Sequence, residues 1–345
     1  IYDEERPLMK KIIDAAKAAG IDAVIASDVA VMSYCREVGQ EVHLSTQLNI
    51  SNIEALRFYA QFADVVVLAR ELTLKQVKAI ADAIEAENIC GPAGRPVRIE
   101  MFCHGALCMA VSGKCYLSLS PRGYSANRGA CIQTCRRSYI AKDKERDIEF
   151  EIDNEYIMSP KDLKTIGFLD RMVKAGVRVF KIEGRARGPE YVRAVVECYD
   201  EALKIAENRW NEQVSQSWDA KLASVFNRGF WDGFYLGAPV GELTQHYGSQ
   251  ATEKKIYVGK CLKYFAKAQV AEFLVQAQDF SLGEKLLITG PTTGAIYVTP
   301  EEILEDGTKL TEIKKGMDIT FKIAEKVREN DKLYVVRAVK PEEEI

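Results

Sequence analysis

From Lys10 to about Val196 the chain alternates two patterns: stretches whose apolar residues recur every three or four positions, and short β-branched apolar runs. This is the rhythm of βα units around a parallel sheet. The runs AVIAS (23–27), VHLSTQ (42–47), VVVLAR (65–70), RIEMFCHG (98–105) and VFKIEGR (179–185) predict five strands. NIEALRFYAQF, TLKQVKAIADAIEA and DLKTIGFLDRMVKAG predict helices between them. The last is expected to open at SPKD, with Ser159 as N-cap, Pro160 at the first helical position and Asp162 at the third. The pattern predicts an α/β fold, a TIM-like (β/α) barrel. A closed barrel takes eight strands, so either further strands precede Ile1 or the sheet is open.

From Lys255 the rhythm changes to short strands in KIYVGKCLKYF, AQVAEFLVQ, EKLLITG, GAIYVTPEEI, DITFKIA and KLYVVRAV. Turn residues separate them, as in a small all-β barrel or sandwich. Three regions follow: a βα-barrel domain (1–208) with an inserted cysteine-rich loop (102–139), a connecting segment (209–252) and a C-terminal β-barrel domain (253–345). The connecting segment holds all three tryptophans and the aromatic, Gly-rich FNRGFWDGFYLG, so it is expected to pack against something or to form a binding loop.

The chain has 345 residues, 47% hydrophobic and 28% charged, enough to bury a large core. A net charge of -3 provides no global basic field, so any contact with nucleic acid must come from a local patch. No apolar run approaches the ~20 residues of a membrane span, and the N-terminus lacks a signal-peptide layout. A cytoplasmic protein is expected.

Nine cysteines without a secretion signal favour a thiolate site over a disulfide framework. Five fall between Phe102 and Tyr139. Cys108 and Cys115 are spaced C-x6-C, and Cys131 and Cys135 C-x3-C, with a Gly- and Ser-rich stretch between the pairs. Four such thiolates can share a metal centre. The C-x2-C knuckles usual for structural zinc are missing, and the chemistry leaves an iron–sulfur cluster, zinc and redox-active thiols all open. Cys103, inside a strand, reads as packing, and Cys35, Cys90, Cys198 and Cys261 as buried structural thiols.

Polar residues at the other strand ends extend the candidate site. Gln47, Asn49 and Arg70 are candidates for substrate or anion binding, and His104, Lys181 and Glu183 for catalysis. Lys181 and Glu183, two apart, project to one side, so a structural pair between them competes with a substrate role. Arg185 and Arg187 precede a helix expected near Pro189, whose free N–H groups favour an anion. His104 with Cys108 offers a Cys–His nucleophile pair, although the segment holds too many thiols for that, and the chain lacks H-E-x-x-H and G-x-S-x-G. Arg122, Arg128, Arg136 and Arg137, interleaved with Tyr124 and Tyr139, form a local patch suited to phosphates and unpaired bases.

EMFCHGALCMAVSGKCYLS resembles the signature of peptidase family U32, also called collagenase-like, and YIMSPKDL, VFKIEGR and FNRGF match further stretches in order. Within the family the chain looks most like the bacterial tRNA hydroxylation proteins that form 5-hydroxyuridine at the wobble position, through GACIQTCRRSY. The resemblance implies a four-iron, four-sulfur cluster (4Fe-4S) on Cys108, Cys115, Cys131 and Cys135, tRNA as partner, and prephenate, a dicarboxylate, as co-substrate. It leaves peptidase activity and a non-catalytic RNA-binding protein with a structural metal as alternatives. GEKLLITGPTTG resembles the second domain of translation elongation factors.

Overall fold

The computed structural model describes residues 1–119, 123–137, 139–146, 148–152, 159–185, 187–205, 212–238, 241–244 and 248–339. They form two compact units that interleave in sequence. The first takes Ile1–Glu183, Glu201–Ser215 and Arg228–Gly248; the second takes Gly184–Asp200, Gln216–Asn227 and Ser249–Ile345.

The strands of the first unit are β1 (Ala23–Ala26), β2 (Glu41–Leu44), β3 (Val65–Val67), β4 (Arg98–Ala106), β5 (Tyr139–Lys142), β6 (Glu149–Ile152), β7 (Asp162–Lys164), β8 (Val177–Glu183) and β9 (Phe230–Trp231). The five strands expected from the apolar runs are all present, and β1, β2, β3, β4 and β8 pair in parallel in that order. All three β3 residues are fully buried, as in a strand covered on both faces. The helices between them are α1 (Arg6–Ala18), α2 (Val29–Val38), α3 (Ile53–Ala60) and α4 (Leu74–Ala86). Local capping fixes where three of them start. The Asp28 and Asn52 side chains accept from Ala30 and Ala55 N–H, and Thr73 and Gln76 form a reciprocal capping box.

One expectation is corrected here. The helix expected from Ser159 is not formed: Asp162–Lys164 is β7, and a helix starts only at Leu169. The backbone of this segment is drawn into tertiary bonds instead. Lys161 N–H donates to Glu242 O, Asp162 N–H to Gly229 O, and β7 runs antiparallel to β4 and parallel to β9. Pairing with distant strands overrides a local cap signal.

Of the expected TIM-like barrel, the parallel βα order is present. A strand has two edges, and β8 takes one edge of β4 from Ile99 to Gly105. β3 reaches only Arg98–Glu100 on the other edge, and β7 occupies it at His104–Ala106 with the opposite direction. Among the described residues the sheet is a mixed α/β layer in which β1, β2, β3, β4 and β8 are parallel.

Of the aromatic connecting segment, Arg228–Gly248 belongs to this unit and packs within it. Trp231 Nε1 donates to Lys161 O at 3.1 Å, and the buried Tyr235 hydroxyl donates to Phe102 O at 2.8 Å. Trp210 lies outside the described residues.

The second unit holds the expected C-terminal strands: β10 (Glu253–Phe265), β11 (Val270–Val275), β12 (Phe280–Ser281), β13 (Leu286–Gly290), β14 (Gly294–Val298), β15 (Ile303–Glu305), β16 (Thr308–Leu310), β17 (Glu312–Ile313), β18 (Asp318–Lys322) and β19 (Lys332–Ala338). Eight of them form one antiparallel sheet in the order β14-β13-β19-β10-β11-β18-β15-β16, and β12 pairs with β17. Its core includes Val258, Leu333 and the stacked rings of Phe273 and Phe321, 5.0 Å apart. Gly259 is required where β10 meets β11, because a Cβ there would lie 1.9 Å from Leu274 O. Cys35, Cys198 and Cys261 are buried as expected, whereas Cys90 is only half-buried, its thiol 3.6 Å from Asn88 Oδ1.

Candidate metal centre

The cysteine loop leaves the C-terminal end of β4 and is fastened there by the residues that follow the neighbouring strands. Arg70, after β3, donates to Ser112 Oγ at 2.8 Å and faces Ala110 O at 3.4 Å. Asn49, after β2 and left-handed at φ 52°, donates from its amide to Ser112 O at 3.2 Å. The Gln47 amide faces Ala126 O at 3.5 Å, and its oxygen accepts from Ser27, after β1, at 2.9 Å. Gly113 adopts φ +77°, and a Cβ there would come within 3.3 Å of Gln47. The three residues read as substrate ligands are thus the clamp of the loop, with the buried Ser112 at its centre. On the far side Arg136 donates to Leu107 O at 2.7 Å, directly before Cys108, and to Ser159 Oγ and Pro160 O at 3.3 Å.

We expect Arg70→Ala to open this clamp. It removes the bond to Ser112 and leaves a buried hydroxyl short of a partner, costing about 1–3 kcal/mol locally. Limited proteolysis should then cut between residues 107 and 137 several-fold faster than in wild type, with the β-domain unaffected; an unchanged rate would show that Arg70 does not hold the loop.

Cys108 and Cys131 are exposed, and Cys115 and Cys135 half-buried. Burial pushes the Cys135 thiol up, the Arg136 guanidinium opposes it, and the thiols of Cys108, Cys131 and Cys115 each push it further. The two cysteine pairs are therefore brought within electrostatic range of one another. Among the described residues no three His, Cys, Asp or Glu side chains stand at metal-binding geometry. The donors nonetheless suit a soft metal centre, being four sulfurs with no carboxylate or imidazole among them. Cys103 is separate: fully buried within β4, it has its Sγ 3.4 Å from Lys181 O, and burial pushes its thiol far up.

The remaining catalytic candidates lie on β4 and β8, where a register shift between Phe102 and His104 sets His104 opposite Ile182 and leaves Lys181 and Glu183, two apart, on one side. Lys181 does not pair with Glu183. Its ammonium lies 2.8 Å from Oε1 of Glu100 on β4, and His43 Nδ1 lies 3.1 Å from Oε2 of the same carboxylate. Glu41 extends the chain, 3.6 Å from His43 Nε2 and 3.0 Å from Arg98. Burial raises the Glu100 carboxyl and its two partners outweigh this, leaving it below the usual carboxylate range. A single acid in the apolar run RIEMFCHG is the signal that could have marked Glu100 beforehand. His104 is buried, its ring 5.6 Å from that of Phe230. Glu183 ends β8 and is half-buried.

The arginines divide. Arg185 and Arg187 fall in the second unit, where the Arg187 guanidinium stacks 3.9 Å from the Phe226 ring. In the first unit Arg128 is bound to Glu5 at 2.6 Å and lies over the Tyr2 ring, while Arg136 serves the loop backbone as above. Arg137 is exposed, the Tyr139 hydroxyl donates to Thr134 O at 2.7 Å, and Arg122 lies outside the described residues. No helix among the described residues is long and apolar enough to cross a membrane.

Comparison with known proteins places this architecture. The model of peptidase family U32 matches residues 1–245. A protein named collagenase from Porphyromonas gingivalis is 60% identical over 97% of this chain and 81% of its own. The tRNA hydroxylation protein P1 of Bacillus subtilis is 31% identical over 94% of this chain and 77% of its own. The 23S rRNA 5-hydroxycytidine C2501 synthase of Escherichia coli is 33% identical over 71% of this chain and 39% of its own. The collagenase-named relative is thus the more similar by a wide margin, and the RNA-hydroxylating proteins are further relatives. With the family model covering the parallel sheet, its cysteine loop and the aromatic segment, the chain belongs to peptidase family U32.

Proposed function

We propose that this protein is an iron–sulfur enzyme that hydroxylates a pyrimidine of RNA, with the wobble uridine of tRNA as substrate and 5-hydroxyuridine as product. The observation that carries the reading is the gathering of four thiols in one stretch rich in cations: from Met101 to Lys142 the sequence has Lys114, Arg122, Arg128, Arg136, Arg137 and Lys142 and no Asp or Glu. The RNA-hydroxylating relatives support it. Cys108, Cys115, Cys131 and Cys135 would hold a 4Fe-4S cluster, which when bound supplies one-electron chemistry. The clamp of Arg70, Asn49, Gln47 and Ser112 holds the loop against the strand ends. Arg185 and Arg187 are assigned to the anionic co-substrate, prephenate, by family resemblance.

A second reading, peptide hydrolysis, is favoured by the 60% identity to a collagenase-named protein. Its nucleophile is the difficulty: Cys103 is buried with its thiol pushed up, and the thiol closest in sequence beyond it, Cys108, belongs to the four-sulfur group. The test is nucleoside analysis of RNA from a strain lacking the gene, together with gelatin hydrolysis by the anaerobically purified protein. Loss of a 5-hydroxypyrimidine, restored by wild type and not by Cys131→Ala, is expected. Unchanged RNA with gelatin cleavage that survives iron removal would establish the peptidase instead.

A further inference from the structure

Resting on the RNA reading above, we propose that the open cavity beside Cys115 is a pocket for one unpaired nucleobase. The cavity, about 510 Å³, is lined by Met109, Lys114, Cys115, Tyr116, Leu117 and Tyr139. A single base with its sugar fits such a volume, and a folded helix does not. The site lies wholly in the cysteine loop and the start of β5.

Its two aromatic rings differ in a way that suits a flat guest. Tyr139 is pinned by its hydroxyl bond to Thr134 O, so one wall is fixed in advance. Tyr116 is 73% exposed, the highest among the exposed large hydrophobics, with Met109 beside it at 43%. Leaving a whole aromatic face in water is unfavourable unless something covers it. Base faces are apolar and stack on tyrosine regardless of sequence.

Charge selects the class of guest. The Lys114 ammonium is on the cavity lining and Arg137 is exposed two residues from Tyr139, within a segment that carries no acid. Neither takes part in an ion pair among the described residues, in contrast to Arg128, which is bound to Glu5. Aromatic faces next to cations match a base tethered to phosphates; the aliphatic side chains of a gelatin-like peptide call for no such excess of positive charge. Because Cys115 forms part of the wall, a base in this pocket lies against the thiol group assigned to the cluster. This explains why the aromatic and basic residues are concentrated here and not along the strand ends, which are occupied in clamping the loop.

The test uses the full chain purified anaerobically and a fluorescent RNA stem-loop with unpaired uridines, against a fully paired duplex of the same composition. Iron content and visible absorption are measured on every variant, so that a loss of binding is not a loss of the metal site. Wild type should prefer the stem-loop. Tyr116→Ala should weaken that binding roughly 5- to 100-fold, the loss of one stacked base, while Tyr116→Phe retains it. Lys114→Ala should weaken binding and lower its salt dependence by about one phosphate contact. Stem-loop binding left unchanged by both Tyr116→Ala and Lys114→Ala would overturn the pocket and leave the RNA reading standing. A wild-type protein that does not bind the stem-loop, whether or not it binds a gelatin peptide, would overturn both.

Discussion

With the proposed cluster on Cys108, Cys115, Cys131 and Cys135, alanine at any one of the four is expected to empty the protein of iron and sulfide. A cluster held by four thiolates loses a quarter of its protein bonds with each substitution, and its iron is then open to water and oxidation. The expected pattern is all-or-none across the four and absent at Cys103→Ala, because that thiol is fully buried in β4 and turned to the Lys181 carbonyl. Iron, sulfide and zinc analysis with visible absorption on anaerobically purified protein gives the answer. Full iron in any of the four variants would remove that cysteine from the ligand set. Zinc in wild type, without sulfide, would replace the cluster by a structural metal.

Removal of the Glu100 carboxylate will strongly destabilise the parallel-sheet unit. Glu100 is 3% exposed and binds both Lys181 and His43. Glu100→Ala leaves the Lys181 ammonium without its partner; a fully buried pair would lose about 3–5 kcal/mol, and the 23% exposure of Lys181 sets the expected cost below that range. The sign with pH follows from the lowered carboxyl. A carboxyl whose folded value lies below its unfolded one contributes stability above the unfolded pKa, near 4.3, and loses it as pH falls through the folded value. Urea unfolding should therefore show a large wild-type advantage over Glu100→Gln at pH 7 that shrinks as the pH falls below about 4. An advantage that does not change with pH would mean the carboxylate charge is not what matters. Neither variant should release iron if the ion network and the cysteine loop are separate devices, so the same preparations distinguish the two predictions.

The five parallel strands of the first unit and the longer strands of the second were legible in the pattern because each carries β-branched residues in a short apolar run, whereas β5, β6, β7 and β9 left no such signal. The cysteine loop was legible because thiol spacing is local. Ser159 shows where such reading stops. SPKD is a sound helix start on local grounds, yet the residues after it pair with β4 and β9, far away in the chain, and long-range hydrogen bonds outweigh a preference worth a fraction of a kcal/mol per residue. Gln47, Asn49 and Arg70 show what the sequence leaves out. Their types and strand-end positions suit a ligand, and only the folded chain shows that they also bond the carbonyls of Ala126 and Ser112 and the hydroxyl of Ser112.

The sequence by itself thus determined the alternation of helix and parallel strand, the separate antiparallel C-terminal sheet, the four-thiol loop and its excess of cations, all of which depend on residues close together in the chain. Tertiary structure alone decided that β7 ends the parallel order on one edge of β4, that Lys181 turns to Glu100 rather than Glu183, that Arg128 and Arg136 are spent on Glu5 and on backbone carbonyls, and that Tyr116 and Tyr139 share a cavity with Cys115. The reason is that a charged or polar side chain takes the partner its neighbours in space offer, and sequence spacing does not record which neighbours those are.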